Sequence, residues 1–335
     1  MKPNILICGK TGAGKTSLIK ALTHDGVVPD NAIGHAKPTT KGFVVYETEV
    51  ANFIDAEGME PGMTVDQYAD FILEEMQTRI ESGDCSNVIT SILYCIDGSG
   101  GRVQDGDIKL VKTLDKRLHV VVTKMDIMRK EQIENINKQL LTAVDAKNIF
   151  MISSAKSSGL SLLLNSIKQK VDIALEANAD IAGYNARWNR YYRQKNQVWE
   201  AAVSEEADSF IHWAAGRAAA IALIPLPLAD VAPLVANELY MIYKIGNLYG
   251  YAVTGQIVTM LTGVAGGSFG GKLLASFLPG LKIPIAAGIT YGVGKAAKAY
   301  FASGMKLDED ELKEEFKQAE KESKKTNWEN ETVKE

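Results

Sequence analysis

Little in this sequence points to secretion, to a metal cluster or to bulk electrostatic attraction. Only three cysteines occur, Cys8, Cys85 and Cys95. They show no metal or redox spacing, and two lie in apolar strand-like runs where a thiol serves as a small hydrophobe. That usage implies a reducing compartment. Net charge is nearly absent, with 37 basic side chains against 41 acidic ones. The segment from Lys306 to Glu335, with seven Lys and eleven acids, carries the whole formal charge of −4. The rest of the chain is neutral, so it draws neither nucleic acid nor acidic lipid by charge alone. One Lys and four apolar residues precede a glycine loop at the amino terminus, too few for a signal peptide. Neither a myristoylation start nor a prenylation Cys is present. Charge-free stretches are scarce as well: only Ile245–Gly271, 27 residues, exceeds the roughly 20 needed to cross a bilayer as helix.

What is present begins at Gly9–Thr16, "GKTGAGKT", directly behind the apolar run Ile5–Cys8. A buried strand entering a glycine-rich loop and then a helix aims backbone N–H groups and a helix N-terminus at an anion, the setting that phosphate binding requires. The fixed elements are Gly9, Gly14, Lys15 and Thr16. Lys15 would reach the β- and γ-phosphates and the Thr16 hydroxyl would ligate Mg²⁺. Short apolar runs then alternate with helix-like stretches. Asn4–Cys8, Phe43–Glu47, Val50–Asp55, Ile89–Ile96, Leu118–Thr123 and Ile149–Ser153 read as six strands. Such alternation predicts a mainly parallel sheet covered by helices, with ligands beyond the carboxyl ends of the strands.

The base is selected further along. In "TKMD", Thr123–Asp126, a carboxylate at a strand end can accept from N1–H and N2–H₂ of guanine, an edge that adenine lacks, while the stem of Lys124 covers the ring. In "SSAK", Ser153–Lys156, the Ala155 N–H can donate to guanine O6 and Lys156 can cover the other face, with Ser154 beside them. "DAEG", Asp55–Gly58, ends the third strand: Asp55 can hold an Mg²⁺-bound water and the Gly58 N–H can meet the γ-phosphate. "KPTTKG" supplies Thr39 and Thr40, one of which can cap the Mg²⁺.

With these motifs in this order, the chain resembles a Ras-like P-loop GTPase of the Era-like and TrmE-like branch. Its "ILYCIDGSGGRVQDGD" segment and apolar Leu223–Gly250 also resemble bacterial GTPases that carry a hydrophobic helical C-terminal domain. The resemblance implies an α/β GTPase domain followed by an all-α apolar domain. It implies GTP/GDP and Mg²⁺ as cofactors, held by Gly12, Ala13, Gly14, Lys15, Thr16, Ser17, Thr40, Asp55, Gly58, Thr123, Lys124, Asp126, Ser154, Ala155 and Lys156. Thr16, Thr40 and Asp55 would serve the metal. Two positions depart from the pattern. Met59 stands where Ras-like proteins place the glutamine that orients the attacking water, and Gly12 stands where Era-like members often carry a potassium-serving asparagine. Slow or assisted hydrolysis is implied, with Glu57, Glu60, Arg102 or a second molecule as sources of the missing group.

The expected domains are 1–178 for GTP, 179–203 as an aromatic and basic linker helix, 204–304 as a Gly-rich apolar helical domain, and 305–335 as a charged tail, helical or disordered. A fragment ending at 178 is expected to be soluble and to bind GTP. In the linker, Trp188, Tyr192 and Trp199 share a face among Arg187, Arg190, Arg193 and Lys195. That pattern suits packing on the neighbouring domain, a headgroup layer or RNA. Glycine pairs four apart (Gly246/Gly250, Gly266/Gly270, Gly267/Gly271, Gly288/Gly292) allow close helix contact in lipid or in a bundle. "GSFG", Gly267–Gly270, matches the loop of an RNA-binding KH module but has apolar flanks. The leading reading is a cytoplasmic GTP switch whose helical half is output or attaches to the inner face of the cell membrane, with the full-length chain at least partly in the membrane fraction. The rivals are a membrane-embedded or membrane-remodelling GTPase and a ribosome-associated factor. Expected partners are the guanine nucleotide and a membrane, effector or second copy, not nucleic acid.

Overall fold

The computed structural model describes residues 2–32, 41–114, 118–175, 180–223, 231–265 and 282–328. Thr39, Thr40 and the Gly266–Gly271 stretch with its "GSFG" lie outside the described residues. Six strands, β1 (Asn4–Gly9), β2 (Phe43–Glu47), β3 (Asn52–Ala56), β4 (Ile89–Asp97), β5 (Leu118–Thr123) and β6 (Ile149–Met151), form one sheet in the order β2-β3-β1-β4-β5-β6. Only β2 runs antiparallel to its neighbour. The inner strands are continuous apolar runs because helices cover both faces of a parallel sheet, whereas β2, on the edge, alternates between half-buried and exposed residues. The third strand starts two residues later than its apolar run. Val50 and Ala51 are spent on a tight turn, their N–H groups donating to the Thr48 hydroxyl at 3.2 and 3.0 Å.

Helices α1 (Lys15–Leu22), α2 (Val65–Glu81), α3 (Asp105–Thr113), α4 (Lys130–Leu140) and α5 (Leu160–Leu175) connect and follow the strands. Thr64 and Gln67 close a capping box on α2, which fixes where that helix begins after β3. The chain forms two compact units, one of residues up to Ala202 with Gly250–Ala252, the other of Val203–Tyr249 and the residues from Val253. The long helix α6 (Ile181–Ala222) contributes to both. In the first unit Tyr184, Trp188, Tyr192 and Trp199 of α6 are buried in the same core as Leu18 and Leu22 of α1 and Leu160 and Leu163 of α5. The aromatic face of the 179–203 stretch is thus core. Gly250–Ala252 add to the sheet edge: Met151 N–H donates to the Gly250 carbonyl at 3.0 Å and Tyr251 pairs antiparallel with Phe150.

The second unit is helical, with the end of α6, α7 (Val231–Leu248), α8 (Gly255–Gly263), α9 (Lys282–Ala302) and α10 (Glu309–Ser323). Here the 27-residue uncharged interval is not one helix. It breaks after Leu248, where Gly250 takes φ +94 and Thr254 caps α8. Among the described residues no helix is long and apolar enough to cross a membrane, so the length argument for a span through Ile245–Gly271 fails at that bend. The glycine spacing is used inside the unit. A Cβ at Gly292 of α9 would stand 2.7 Å from the Phe316 ring of α10, and one at Gly288 3.0 Å from the Ser323 hydroxyl. Close approach of α9 buries Leu312, Phe316 and Ala319 along an otherwise charged helix. Asp208 accepts from Lys295 and Lys298 at 2.7 and 2.6 Å, tying α6 to α9.

Candidate functional site

The parallel register brings the carboxyl ends of four strands together: Ile7 lies beside Asp55, Gly9 beside Cys95, and Asp97 beside Thr123. Beyond β1 the loop turns sharply. Gly9 has φ +138, and a Cβ there would meet the Cys95 carbonyl oxygen at 2.3 Å, so only glycine lets the loop leave the sheet at this point. Gly14 is the N-cap of α1 and no side chain caps that helix, which suits its first N–H groups to receiving an anion. Lys15 is buried behind the loop, its Nζ donating to the carbonyls of Gly9 and Lys10 at 3.2 and 3.1 Å. Thr16 Oγ1 donates to Asp55 Oδ2 at 2.6 Å. A hydroxyl and a carboxylate in contact are the hard oxygen donors that Mg²⁺ prefers, and this ion takes its remaining ligands from phosphate and water. Thr16 and Asp55 fit the metal on that ground.

Across the site, Thr123 Oγ1 donates to Ala13 O at 2.9 Å and accompanies Ile96 O at 3.2 Å, bonding the end of β5 to the phosphate loop. Lys124 adopts φ +58 and returns its Nζ to Gly12 O at 3.0 Å and Asp97 Oδ2 at 2.6 Å. Burial raises the Asp97 carboxyl, but hydrogen bonds from Lys124 and Ser99 outweigh it and hold the group below the ordinary range. Asp126 is half-buried in the short turn Met125–Ile127, and Met125 N–H donates to Ile152 O at 3.0 Å. The second loop is closed by the Ser153 hydroxyl, which accepts from Lys156 N–H at 3.0 Å. Ala155 and Lys156 are exposed and Ser154 and Ser17 half-buried on the rim. The phosphate loop, Asp55, and both base-side loops therefore converge.

The segment after β3 folds onto the phosphate loop. Met59 N–H donates to Gly9 O and Thr11 N–H donates to Met59 O, both at 3.3 Å. A Cβ on Gly58 would lie 2.5 Å from Thr11 Oγ1, so glycine is needed for this approach. Four contacts that hold the site do not follow from the motif spacings. The hydroxyl of Tyr68 of α2, fully buried, accepts from Gly9 N–H at 2.9 Å and can donate to Gly9 O at 3.1 Å or Glu57 O at 3.0 Å. Lys10 pairs with the buried carboxylate of Asp107 at 2.8 Å, which also accepts from Tyr94 at 2.7 Å. The remaining two are that of Asp97 with Lys124 and that between Thr11 and Glu60, 3.0 Å apart. Asp97, a carboxylate at a strand end, was open to the strand-end argument. Tyr68 looks like any helix core residue.

A mainly parallel six-stranded sheet, a phosphate loop and a guanine-type pair of loops define the P-loop GTPase class. Residues 4–156 match the family described as 50S ribosome-binding GTPase, and they form a P-loop GTPase domain. GTPase Era of Thermoanaerobacter sp. (strain X514) is 23% identical over 171 residues, 49% of this chain and 52% of that protein. The chain thus spans about half the length of that curated relative. Magnetosome membrane protein 22 of Magnetospirillum gryphiswaldense is 29% identical over 120 residues, 30% of this chain and 62% of that protein. Among solved structures, the G domain of the T. maritima FeoB iron transporter is 16% identical, covering 51% of this chain and 99% of that one, with a TM-score of 0.33.

Proposed function

We propose that the protein is a GTP-binding and slowly GTP-hydrolysing switch, with the helical unit as its output. The hydrogen bond of Thr16 to Asp55 at 2.6 Å carries this reading, because it joins the phosphate loop to the segment that would sense the γ-phosphate. Lys15 would leave the carbonyls of Gly9 and Lys10 for the β- and γ-phosphates, and Thr16 and Asp55 would hold Mg²⁺, which neutralises phosphate charge when bound. Gly58 would offer its N–H to the γ-phosphate. Asp126 would read N1–H and N2–H₂ of guanine while Lys124, braced by Asp97, covers the ring, and Ala155 would meet O6. Loss of the γ-phosphate would release the segment around Gly58. Met59 cannot orient water, which supports turnover of about 10⁻⁴ to 10⁻² s⁻¹ without a partner.

Titration of the full chain with labelled GTP, ATP and XTP tests the base assignment. GTP is expected to bind far more tightly than ATP. Asp126→Asn is expected to lower GTP affinity at least 100-fold and to favour XTP, whose C2 carbonyl accepts rather than donates. Equal affinity of the unaltered protein for GTP and ATP would end this reading.

A further inference from the structure

The class of reaction needs a group that holds water in line with the γ-phosphate, and Met59 has no hydrogen-bonding side chain of that kind. Three nearby side chains differ in their commitments. Glu57 is used elsewhere: its Oε2 accepts from Gly42 N–H at 2.7 Å, and its own N–H donates back to Gly42 O at 2.7 Å. Arg102 is exposed between two residues tied to α4, since Gly101 O accepts from Asn135 at 3.1 Å and Val103 N–H donates to Gln139 at 2.8 Å. Glu60 alone stands over the phosphate loop. Its Oε1 accepts from the hydroxyl of Thr11, at the crown of that loop, at 3.0 Å.

The backbone makes this placement specific. Thr11 N–H bonds to Met59 O, Met59 N–H bonds to Gly9 O, and Gly58 lies against Thr11 with no room for a Cβ. Gly58 is the residue whose N–H would meet the γ-phosphate, and Glu60 follows it by two positions, held on the loop from which that phosphate is gripped. One carboxylate oxygen is engaged by Thr11. The other has no hydrogen bond among the described residues and can take one from a water molecule.

We infer that Glu60 is the catalytic residue that orients the hydrolytic water, with Thr11 as its positioning residue. This rests on the GTPase reading above. Glu60 accepts one water hydrogen and directs the oxygen lone pair at the γ-phosphorus. The water oxygen–phosphorus bond forms as the bond from phosphorus to the β,γ-bridging oxygen breaks. That oxygen leaves on GDP with the electron pair, and the water proton passes to the released inorganic phosphate. No further reactant is required.

The test is single-turnover hydrolysis of γ-labelled GTP by the full chain at saturating protein, beside the dissociation constant of a non-hydrolysable GTP analogue. Glu60→Ala is expected to slow the chemical step 30-fold or more while changing the dissociation constant less than threefold. Glu60→Gln retains a carbonyl acceptor and should keep the rate within tenfold of the unaltered protein. Thr11→Ala should slow the step 3- to 10-fold and Thr11→Ser should restore it, a rescue that a loss of loop packing would not give. A Glu60→Ala protein that binds the analogue normally and hydrolyses within threefold of the unaltered rate overturns the assignment of Glu60. Equal rates for Thr11→Ala and Thr11→Ser overturn that of Thr11. An unaltered protein that binds the analogue yet never releases phosphate refutes hydrolysis itself, and the inference falls with it. One that binds no guanine nucleotide refutes the broader reading instead.

Discussion

In the unit that contains the sheet, five buried polar side chains converge. Lys15, Asp55, Asp107, Thr123 and Ser153 all lie at the carboxyl ends of strands or in the loops and first helical turns just beyond, and hydrogen bonds link them to one another's segments. Others, such as His119 between Ser91 and Ser166, are satisfied elsewhere in the core, while Asn137, buried in α4, has no partner for its amide among the described residues. In the helical unit the buried polar groups are scattered. Glu238 and Asn247 sit on α7, and Glu238 has one partner, Thr290 of α9, at 3.2 Å. Its Oε2 and both amide atoms of Asn247 have none among the described residues. In the first unit a connected set of polar groups is organised around one site, whereas Glu238 and Asn247 in the second are a cost carried by the helix packing. Three measurements sharpen or break that contrast.

The largest effect concerns where the first unit ends. A boundary at 178 leaves Tyr184, Trp188, Tyr192 and Trp199 outside, yet all four are buried against α1 and α5. An aromatic side chain buries about 150–250 Å², worth roughly 4–6 kcal/mol at about 25 cal/mol/Å², an upper estimate. Losing four such contributions exceeds the about 5–15 kcal/mol by which a typical domain is stable. Residues 1–178 alone are expected to be aggregated or molten, while residues 1–202 melt cooperatively and bind GTP. Circular dichroism and nucleotide titration of the two fragments decide this. Matching melting curves would show that α6 belongs to the helical unit after all.

Next in size is an opposite response to pH. His119, fully buried between the hydroxyls of Ser91 and Ser166, is pushed down from 6.5 to about 3 by burial, with Lys170 adding to it. Between those values the unfolded chain binds a proton that the folded unit refuses, so the first unit loses stability as pH falls from 6.5 toward 3. Glu238 is pushed up from 4.5 to about 8 by burial, against a hydrogen bond from Thr290. Between those values the folded unit keeps a proton that the unfolded chain releases, so the second unit loses stability as pH rises from 4.5 to 8. At about 1.4 kcal/mol per pH unit each effect amounts to a few kcal/mol. Glu238→Gln should raise the melting temperature of the helical unit at pH 8 and leave it unchanged at pH 4. Scanning calorimetry across pH 4–8.5 should show two transitions moving in opposite directions, and a common shift would dissolve the contrast.

The same contrast explains what could be read from the residues. All six strands were legible, because parallel strands announce themselves as apolar runs, and Lys15, Thr16, Asp55, Thr123 and Asp126 stand at or just beyond strand ends, where the motif order puts them. The contacts of Tyr68, of Lys10 with Asp107 and of Thr11 with Glu60 were not, though Glu60 itself was among the candidates, since each joins segments distant in sequence. In the helical unit the charge-free interval suggested a span. No residue count shows that Gly250 bends the chain there with φ +94. The glycines of α9 read equally as lipid or bundle contacts until Phe316 filled the space beside them.

The smallest effect has the sharpest sign. Asn247 is fully buried, with neither amide atom bonded among the described residues. An unsatisfied buried polar group costs about 1–3 kcal/mol, and Asn is also the poorer helix former by a few tenths of a kcal/mol against Leu. Leu matches Asn in heavy-atom count, but two methyls on a tetrahedral γ-carbon take more room than a planar amide, so fitting it returns part of the gain as strain. Asn247→Leu is therefore expected to stabilise the helical unit by about 1 kcal/mol. Thr123→Val makes a similar polar-to-apolar change in the first unit and has the opposite expectation. Its hydroxyl reaches Ala13 O and Ile96 O at 2.9 and 3.2 Å, and valine would leave both without that bond at the base of the phosphate loop. About 1–2 kcal/mol of stability should be lost, with weaker GTP binding. Separate melting transitions for the two units report both changes, because a chain of two units has no single unfolding free energy. If Asn247→Leu lowers the helical transition, the Asn247 amide has a function in its unit, and the view of that polarity as an unrewarded cost is wrong.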